Sequence, residues 1–402
     1  MALMPVAEAL RLVLSDAKPL PAEVVALDQA AGRVLTEDVA ALRTQPPAAV
    51  SAMDGYAVRA SDVATAPAVL KVIGEIAAGH PFVGQVAAGQ AARIFTGGVI
   101  PSGSDTVVIQ ELTSREGDVV TIQKATSKGR NVRGQGIDFA QGEVLLRKGR
   151  RLSDRDVMLA AAMNHPHLSV HRKPKVAVLG TGDELVPPGS APKSGEIVYS
   201  NGFALAALAR AEGAEVHDLG IANDRVDAIA QAIKRAREWS ADILVTSGGV
   251  SVGEHDLVQK ALAAEGLDLS FWRVALRPGR PMMHGRLGAM QVLGVPGNPV
   301  SSYVCAFLFL VPLIRRLCGL DDVEPRPEQA RLGRDLPAND ERADYLRATL
   351  APGPDGPVAT PLPAQDSSLM APLAKADCLV IRNPGAPAAS AGSDCVILKL
   401  GL

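Results

Sequence analysis

Residues 246–256 read TSGGVSVGEHD, with three glycines, no lysine and two carboxylates, directly behind the apolar run ADILV. Glycine lets backbone approach a ligand closely and turns main-chain amides toward an anion. A loop of this kind at a strand end therefore suits a phosphate or another oxyanion. Two further loops share the character, GTGDEL at 180–185 and GVPGNPVSS at 294–302. None is a P-loop, because no Gly-Lys-Ser/Thr follows, and none fits the Gly-x-Gly-x-x-Gly dinucleotide pattern. Taken singly, each is equally an ordinary tight turn. Asp183, Glu184, Glu254 and Asp256 place carboxylates in these loops. Acidic groups beside an anion site make sense where a hard cation such as Mg²⁺ bridges them to the ligand, or where one of them moves a proton; otherwise they are solvated surface. The segment FWRVALRPGRP adds Arg273, Arg277 and Arg280, whose planar forks match tetrahedral oxyanions, with a solvated charge cluster as the competing reading.

Earlier in the chain, SAMDGYAV (51–58) sets Asp54 in a turn and RIFTGG (93–98) sets Thr96 before paired glycines. Turn chemistry alone accounts for both. In KGRNVRGQGID (128–138), Lys128, Arg130 and Arg133 precede Asp138, as an anion contact or as a flexible loop. His165, His167 and His171 lie close together but have no carboxylate or cysteine companion at a ligand spacing, so they do not read as a metal site. Cys305, Cys318, Cys378 and Cys395 show no Cys-x-x-Cys pair and read as small buried hydrophobes in a reducing compartment.

These loops need elements to hold them. A chain of 402 residues exceeds the size of one core, and its 47% apolar and 21% charged composition is that of a globular protein. Net charge −2 and aromatics at 3% leave neither a basic footprint nor stacking platforms, which argues against nucleic acid as a partner. The start MALMPVAEAL lacks the basic region of a signal peptide, and the apolar stretch YVCAFLFLVPLI is too short to span a bilayer, so a cytoplasmic protein with no membrane partner is expected. Residues 1–172 mix an amphipathic start with short β-type runs. A helix at SDRDVMLAAAMN follows, capped by Ser153 with Asp156 three residues on. The β-rich stretch of about 51–136 reads as a lobe inserted in a helical base. Residues 173–320 alternate β and α, which implies a parallel sheet. Their second helix sets Val226, Ile229, Ala230 and Ile233 on one apolar stripe. After the proline- and charge-rich GLDDVEPRPEQ, residues 321–402 read as a small all-β domain.

In chain order, SAMDGYAV, IFTGGVIPSGSDTVV, GTGDELV, SNGFALAALARAEGAEV, TSGGVSVGEHD, RPGRP and VPGNPVSS resemble the molybdopterin molybdenumtransferase family, the bacterial MoeA family related to the E domain of gephyrin. The resemblance spans nearly the whole chain and is weakest after Leu320. It implies an α/β multidomain fold: a parallel doubly wound (MogA-like) α/β domain, an extended helical base with an inserted β lobe, and a C-terminal small β-barrel. It also implies an enzyme that takes adenylylated molybdopterin, inserts molybdate at the dithiolene and releases AMP with Mg²⁺. The expected assembly is a homodimer whose cleft combines the lobe of one subunit with the α/β domain of the other. Molybdopterin adenylyltransferase and acceptor molybdoenzymes are further partners.

Carried over motif by motif, Asp54, Thr96, Asp138, Glu184, Asp224 and Asp256 resemble the family's catalytic positions, with Glu184 and Asp256 as Mg²⁺ ligands. For Asp224 in GIANDR, a helix N-cap is the plainer alternative. Arg133, Gly248, Gly249, Ser251, Arg273, Arg277, Arg280 and Ser301 fall on the substrate side. Arg347 in DYLRATL and Ser367 in QDSS are expected to face the same pocket. The family often carries lysine at 273, 277 and 280, so a forked donor replaces a point charge here. Asp366 places a carboxylate next to Ser367, repulsive toward an oxyanion unless it points away. Two other functions share parts of the pattern: molybdopterin adenylyltransferase, which has the α/β domain alone, and a gephyrin-like scaffold.

Overall fold

The computed structural model describes residues 3–249 and 257–401. Ser251, Glu254 and Asp256 lie outside the described residues. The central domain is a six-stranded sheet of β1 (Lys175–Thr181), β2 (Glu215–Ala222), β3 (Ile243–Ser247), β4 (Asp268–Trp272), β5 (Met283–Leu287) and β6 (Met290–Val295), in the order β2-β1-β3-β6-β5-β4. The pairs β2–β1, β1–β3 and β3–β6 are parallel, as expected, whereas β5 runs antiparallel to both its neighbours. The reversal comes from a two-residue turn at Gly288 and Ala289, with Gly288 at φ +65° and Leu287 paired to Met290; so short a connection can only make a hairpin. The segment around FWRVALRPGRP thus contains strand β4, which its arginines and prolines conceal.

Every residue of β3 and β6 is buried, because helices cover both faces of the sheet. Alternation along β1 divides its side chains. Val176 and Val178 join the core beneath α1 (Asn201–Ala211) and α4 (Pro299–Leu317), while Ala177 and Leu179 face α2 (Val226–Glu238) and α3 (Leu257–Ala264). The apolar stripe of α2 is Ile229, Ala232, Ile233 and Ala236; Val226 is 40% exposed, because it starts the helix at the rim. Helix α4 is, at 19 residues, long and apolar enough to cross a membrane, yet 83% of it is buried as the core helix of this domain. It opens to π geometry over Ala306–Leu310, just ahead of Pro312, whose ring crowds the carbonyl four residues back and whose nitrogen cannot donate.

The N-terminal region holds less helix than expected. Val6–Ser15 packs into the core of the α/β domain through Ala9, Leu10 and Val13. The rest of the base is short paired strands, Ala22–Ala26 with His167–His171 and Val39–Ala40 with Val144–Leu146. Asp154–Ala162 begins with the expected capping box between Ser153 and Asp156. The lobe is inserted through a neck where Gln45 bridges Phe139 and Val50–Ser51 pairs with Val132–Arg133. Its six-stranded sheet runs from residue 55 to 122. At the other end of the chain, Pro327–Leu332, Ala343–Gly353, Gly356–Pro361, Cys378–Arg382 and Asp394–Lys399 close into a five-stranded barrel. The strand pair Leu276↔Ala343 and Arg277↔Asp344 pins that barrel to the α/β domain.

Candidate active site

In the order β2-β1-β3, the connections leave β1 and β3 in opposite directions. The carboxyl ends of these two strands therefore part and leave a crevice between them, the usual ligand position in an open α/β sheet. A cleft of about 550 Å³ lies there. All three glycine-rich loops line it: Thr181, Gly182 and Glu184 from the first, Ser247, Gly248 and Gly249 from the second, and Pro296, Gly297 and Asn298 from the third.

Close packing is what demands glycine in the second loop. Gly248 has φ +98°, and a Cβ there would stand 2.5 Å from the Thr181 carbonyl oxygen; one on Gly249, at φ +61°, would stand 2.2 Å from Val258 Cγ2. The Gly248 amide donates to the Val295 carbonyl at 3.2 Å, so it is spent on joining two strand ends and does not cradle an anion as expected. Asn201, the first residue of α1, joins the loops from the side. Its Nδ2 donates to Ser247 Oγ at 2.8 Å and to the Gly297 carbonyl at 2.7 Å. Behind it, Tyr199 fills the space left by two further glycines: a Cβ on Gly180 would meet its ring at 2.5 Å and one on Gly202 its hydroxyl at 2.0 Å. Burial raises the Tyr199 pKa well above its ordinary value, so this phenol stays protonated.

Among the described residues, Glu184 and Asp224 are the exposed carboxylates of the cleft. Asp224 is not an N-cap. Arg225 holds that position, and the Asp224 amide accepts no such role but donates to Asp183 Oδ1 at 3.0 Å. Asp183 therefore braces the loop that presents Asp224. Ser301 is buried in the first turn of α4. The N-terminus of that helix is partly occupied: the Val300 amide donates to the Ser367 carbonyl at 3.0 Å, and Asn298 Nδ2 donates to Ser367 Oγ at 2.8 Å. Ser367 thus ties the barrel to α4, and its neighbour Ser368 lines the cleft. Asp366 turns back on Ser368, accepting from its amide at 2.8 Å and its hydroxyl at 2.6 Å, and these bonds hold its carboxyl below the usual range.

The arginines do not converge. Arg273 sits at φ +90° with its guanidinium 5.7 Å from the Trp272 ring centre. Arg277 pairs with Asp344 at 3.2 Å and with Asp340, and it lines a separate cavity of about 230 Å³ against the barrel. Arg280 is exposed beside Pro281 of the cleft wall. Arg347 does not face the pocket: it is 1% exposed, and its guanidinium donates to the Ala364 and Asp366 carbonyls and to Gln365 Oε1. Its strand buries it, and the loop that carries Ser367 wraps over it.

A second polar site occupies the lobe. Asp54 Oδ1 accepts from the amide and from the hydroxyl of Thr96, each at 2.7 Å, and the amide bond first, then the hydroxyl bond, pull the Asp54 pKa below its ordinary value. Backbone bonds from Gly97 to Ser51 and from Ala52 to Asn131 draw the stretch carrying Arg133 to the same edge. Asp138 follows at the neck, where its amide donates to the Gln45 carbonyl. Asp54, Thr96, Arg133 and Asp138 therefore belong to one region of the lobe. The lining of the α/β cleft contains no residue of that region.

Comparison with known proteins agrees with this architecture. The MoeA N-terminal region (domain I and II) matches residues 4–164, the probable molybdopterin binding domain matches 177–316, and the MoeA C-terminal region (domain IV) matches 329–400. A protein of Nostoc sp. named molybdopterin molybdenumtransferase is 40% identical over 336 residues, covering 82% of this chain and 77% of its own. The Haemophilus influenzae protein of the same name is 34% identical over 94% of each chain. The chain belongs to the molybdopterin molybdenumtransferase family. Within that family, the crystal structure of the molybdopterin biosynthesis MoeA protein from Pyrococcus horikoshii superposes with a TM-score of 0.84 over the whole of both chains, at 30% identity. The family's domain I and II correspond to the base and lobe, and its domain IV to the barrel. Asn201 and Ser247 were not among the site residues expected from the sequence. Their signal was present, an Asn opening a helix and a Ser closing a buried strand, but it is common to many folds.

Proposed function

We propose that this family member binds adenylylated molybdopterin in the α/β cleft and couples insertion of molybdate to release of AMP, in the last step of molybdenum cofactor synthesis. The carrying observation is the convergence of all three glycine-rich loops, with Glu184 and Asp224, at the switch point of the sheet. Glu184 and Asp224 suit a hard cation, since Mg²⁺ keeps several waters and needs only one or two carboxylates besides phosphate oxygens. Among the described residues no cluster of three or more metal-binding side chains forms an all-protein cage. Mg²⁺ held there would neutralise charge on the phosphate oxygens. Around it, Gly249 and the start of α4 offer close backbone approach, and Asn201 holds the loops in register. Tyr199, as a neutral phenol, closes the floor against water. The contribution of these groups is electrostatic preorganisation.

The lobe site completes the reaction as part of a homodimer, with Asp54 and Asp138 of one subunit facing the cleft of the other. Two observations support this: among the described residues the cleft lining lacks lobe residues, and exposed apolar side chains stand in both regions, Met53 and Ile137 on the lobe and Ile197 and Met370 in the cleft lining. Molybdopterin adenylyltransferase would supply the substrate, and cytoplasmic apo-molybdoenzymes would take the product.

The test is AMP release from adenylylated molybdopterin by the purified protein. Release that requires both molybdate and Mg²⁺ is expected; nucleotide transfer from ATP, or no turnover, overturns the assignment. Mixing inactive Asp54→Ala and Glu184→Ala proteins separates the dimer claim. Subunit exchange should restore activity if lobe and cleft act in trans, and a mixture that stays inactive after exchange would place them in cis.

A further inference from the structure

Asn201 Nδ2 stands 2.7 Å from a backbone carbonyl, that of Gly297, and a carbonyl oxygen can only accept. The amide orientation is therefore settled by its partner: the atom facing Gly297 is nitrogen. The same nitrogen lies 2.8 Å from Ser247 Oγ. Its two hydrogens are thereby both assigned, and Ser247 Oγ is an acceptor in that pair. A serine hydroxyl has a single hydrogen, and that of Ser247 must go elsewhere. Ser247 is 2% exposed and lines the cleft, and among the described residues its hydroxyl has no acceptor. Thr181 Oγ1 donates to the Ser247 carbonyl at 3.5 Å, not to the hydroxyl.

We infer that Ser247 donates its hydroxyl hydrogen to the anionic group held in the cleft and that Asn201 is the positioning residue that keeps this hydroxyl turned toward it. The inference rests on the reading above, in which the cleft takes a nucleoside phosphate. An amide that occupies one lone pair of Ser247 makes the other side of that hydroxyl a donor before the guest arrives. A guest with oxygen acceptors is then favoured over one that brings donors. The arrangement also links three segments far apart in sequence: the end of β3, the start of α1 and the loop before α4.

The experiment measures AMP binding by calorimetry in the presence of Mg²⁺, using the full chain and the variants Ser247→Ala, Asn201→Ala and the double variant. One hydrogen bond to a charged group corresponds to roughly ten- to hundredfold in affinity, so Ser247→Ala should weaken AMP by that order. Asn201→Ala should weaken it by about half as much on a logarithmic scale, and should cost clearly less in the Ser247→Ala background, where only its bond to Gly297 remains to be lost. A merely structural Asn201 would instead cost the same with or without the Ser247 hydroxyl, and that additivity overturns the positioning role. Unchanged affinity in Ser247→Ala overturns the donor role. Should the alanine variant fail to fold, Ser247→Cys, of similar size and a weak donor, must show the same loss, and full affinity in it counts against the claim. If the unmodified protein itself binds no AMP, the underlying reading falls together with the inference; if it binds AMP and the variants do not differ, the inference alone falls.

Discussion

The lobe and the α/β cleft both present carboxylates, but they hold them differently. In the lobe, Asp54 is fixed by its neighbour Thr96 through two bonds to one oxygen, and that pairing keeps it ionised. In the cleft, Glu184 and Asp224 carry no such partner bonds among the described residues, and the hydrogen bonding goes instead into the frame: Gly248 to Val295, Asn201 to Ser247 and Gly297, Asp183 to the Asp224 backbone. A carboxylate with its acceptors occupied suits orientation, whereas one left open in a braced frame suits a cation or a phosphate-bound proton. The lobe therefore reads as a prearranged wall and the cleft as the place where charge is exchanged.

The sharpest way to break that contrast is Glu184→Ala. It should lower AMP release by on the order of a hundredfold or more, as expected for loss of a charged group acting at the reacting centre, while the melting temperature stays within about a degree because the side chain is exposed. A large drop in melting temperature would make Glu184 part of the frame instead. Next in size, Gly248→Ala attacks the frame alone. With φ +98° and the Thr181 carbonyl 2.5 Å from the new Cβ, it should cost about 1–3 kcal/mol in urea unfolding and weaken every cleft ligand together. An alanine tolerated without loss would mean that the three loops do not close as described.

Arg277→Ala probes a third region. The substitution leaves Asp344, which is 10% exposed at its side chain, without its partner, so stability should fall by about 1–3 kcal/mol while AMP affinity stays within about twofold. Burial already raises the Asp344 pKa, and the variant should raise it further, visible by NMR titration. The smallest effect belongs to the lobe. Thr96→Val removes one bond to Asp54 and should move its pKa back toward the ordinary carboxylate value. Because the folded pKa of Asp54 is the lowered one, its contribution to stability is present above the unfolded pKa of about 4 and is lost as pH falls through the folded value. Variant and parent should therefore differ in stability at neutral pH and converge in acid; a difference that persists below both pKa values would count against the pairing.

Most of the architecture was legible from the chain. The alternation of β-type and helical segments over 173–320 announced the parallel part of the sheet, and Ser153 with Asp156 announced a helix start, because period and capping are local properties. Strands β4 and β5 escaped because arginines and prolines surround them and because β5 is held by a hairpin turn. The three glycine loops were visible, but their common cleft depends on strand order. The arginines were misplaced for the same reason: Arg277 is drawn to Asp344, 67 residues away, by a strand pairing with the barrel, and Arg347 is covered by its own loop.

Sequence by itself determined which residues could do chemistry and which segments would be strand, helix or turn, since these follow from side-chain type, spacing and backbone freedom over a few residues. Tertiary structure alone decided which of those groups meet. Asn201 reaches Ser247 and Gly297 across 46 and 96 residues, and Asp54 reaches Thr96 across 42. Such meetings are set by how sheets stack and strands order themselves, and a hydrogen bond only a few ångströms long leaves no mark on the sequence between its ends.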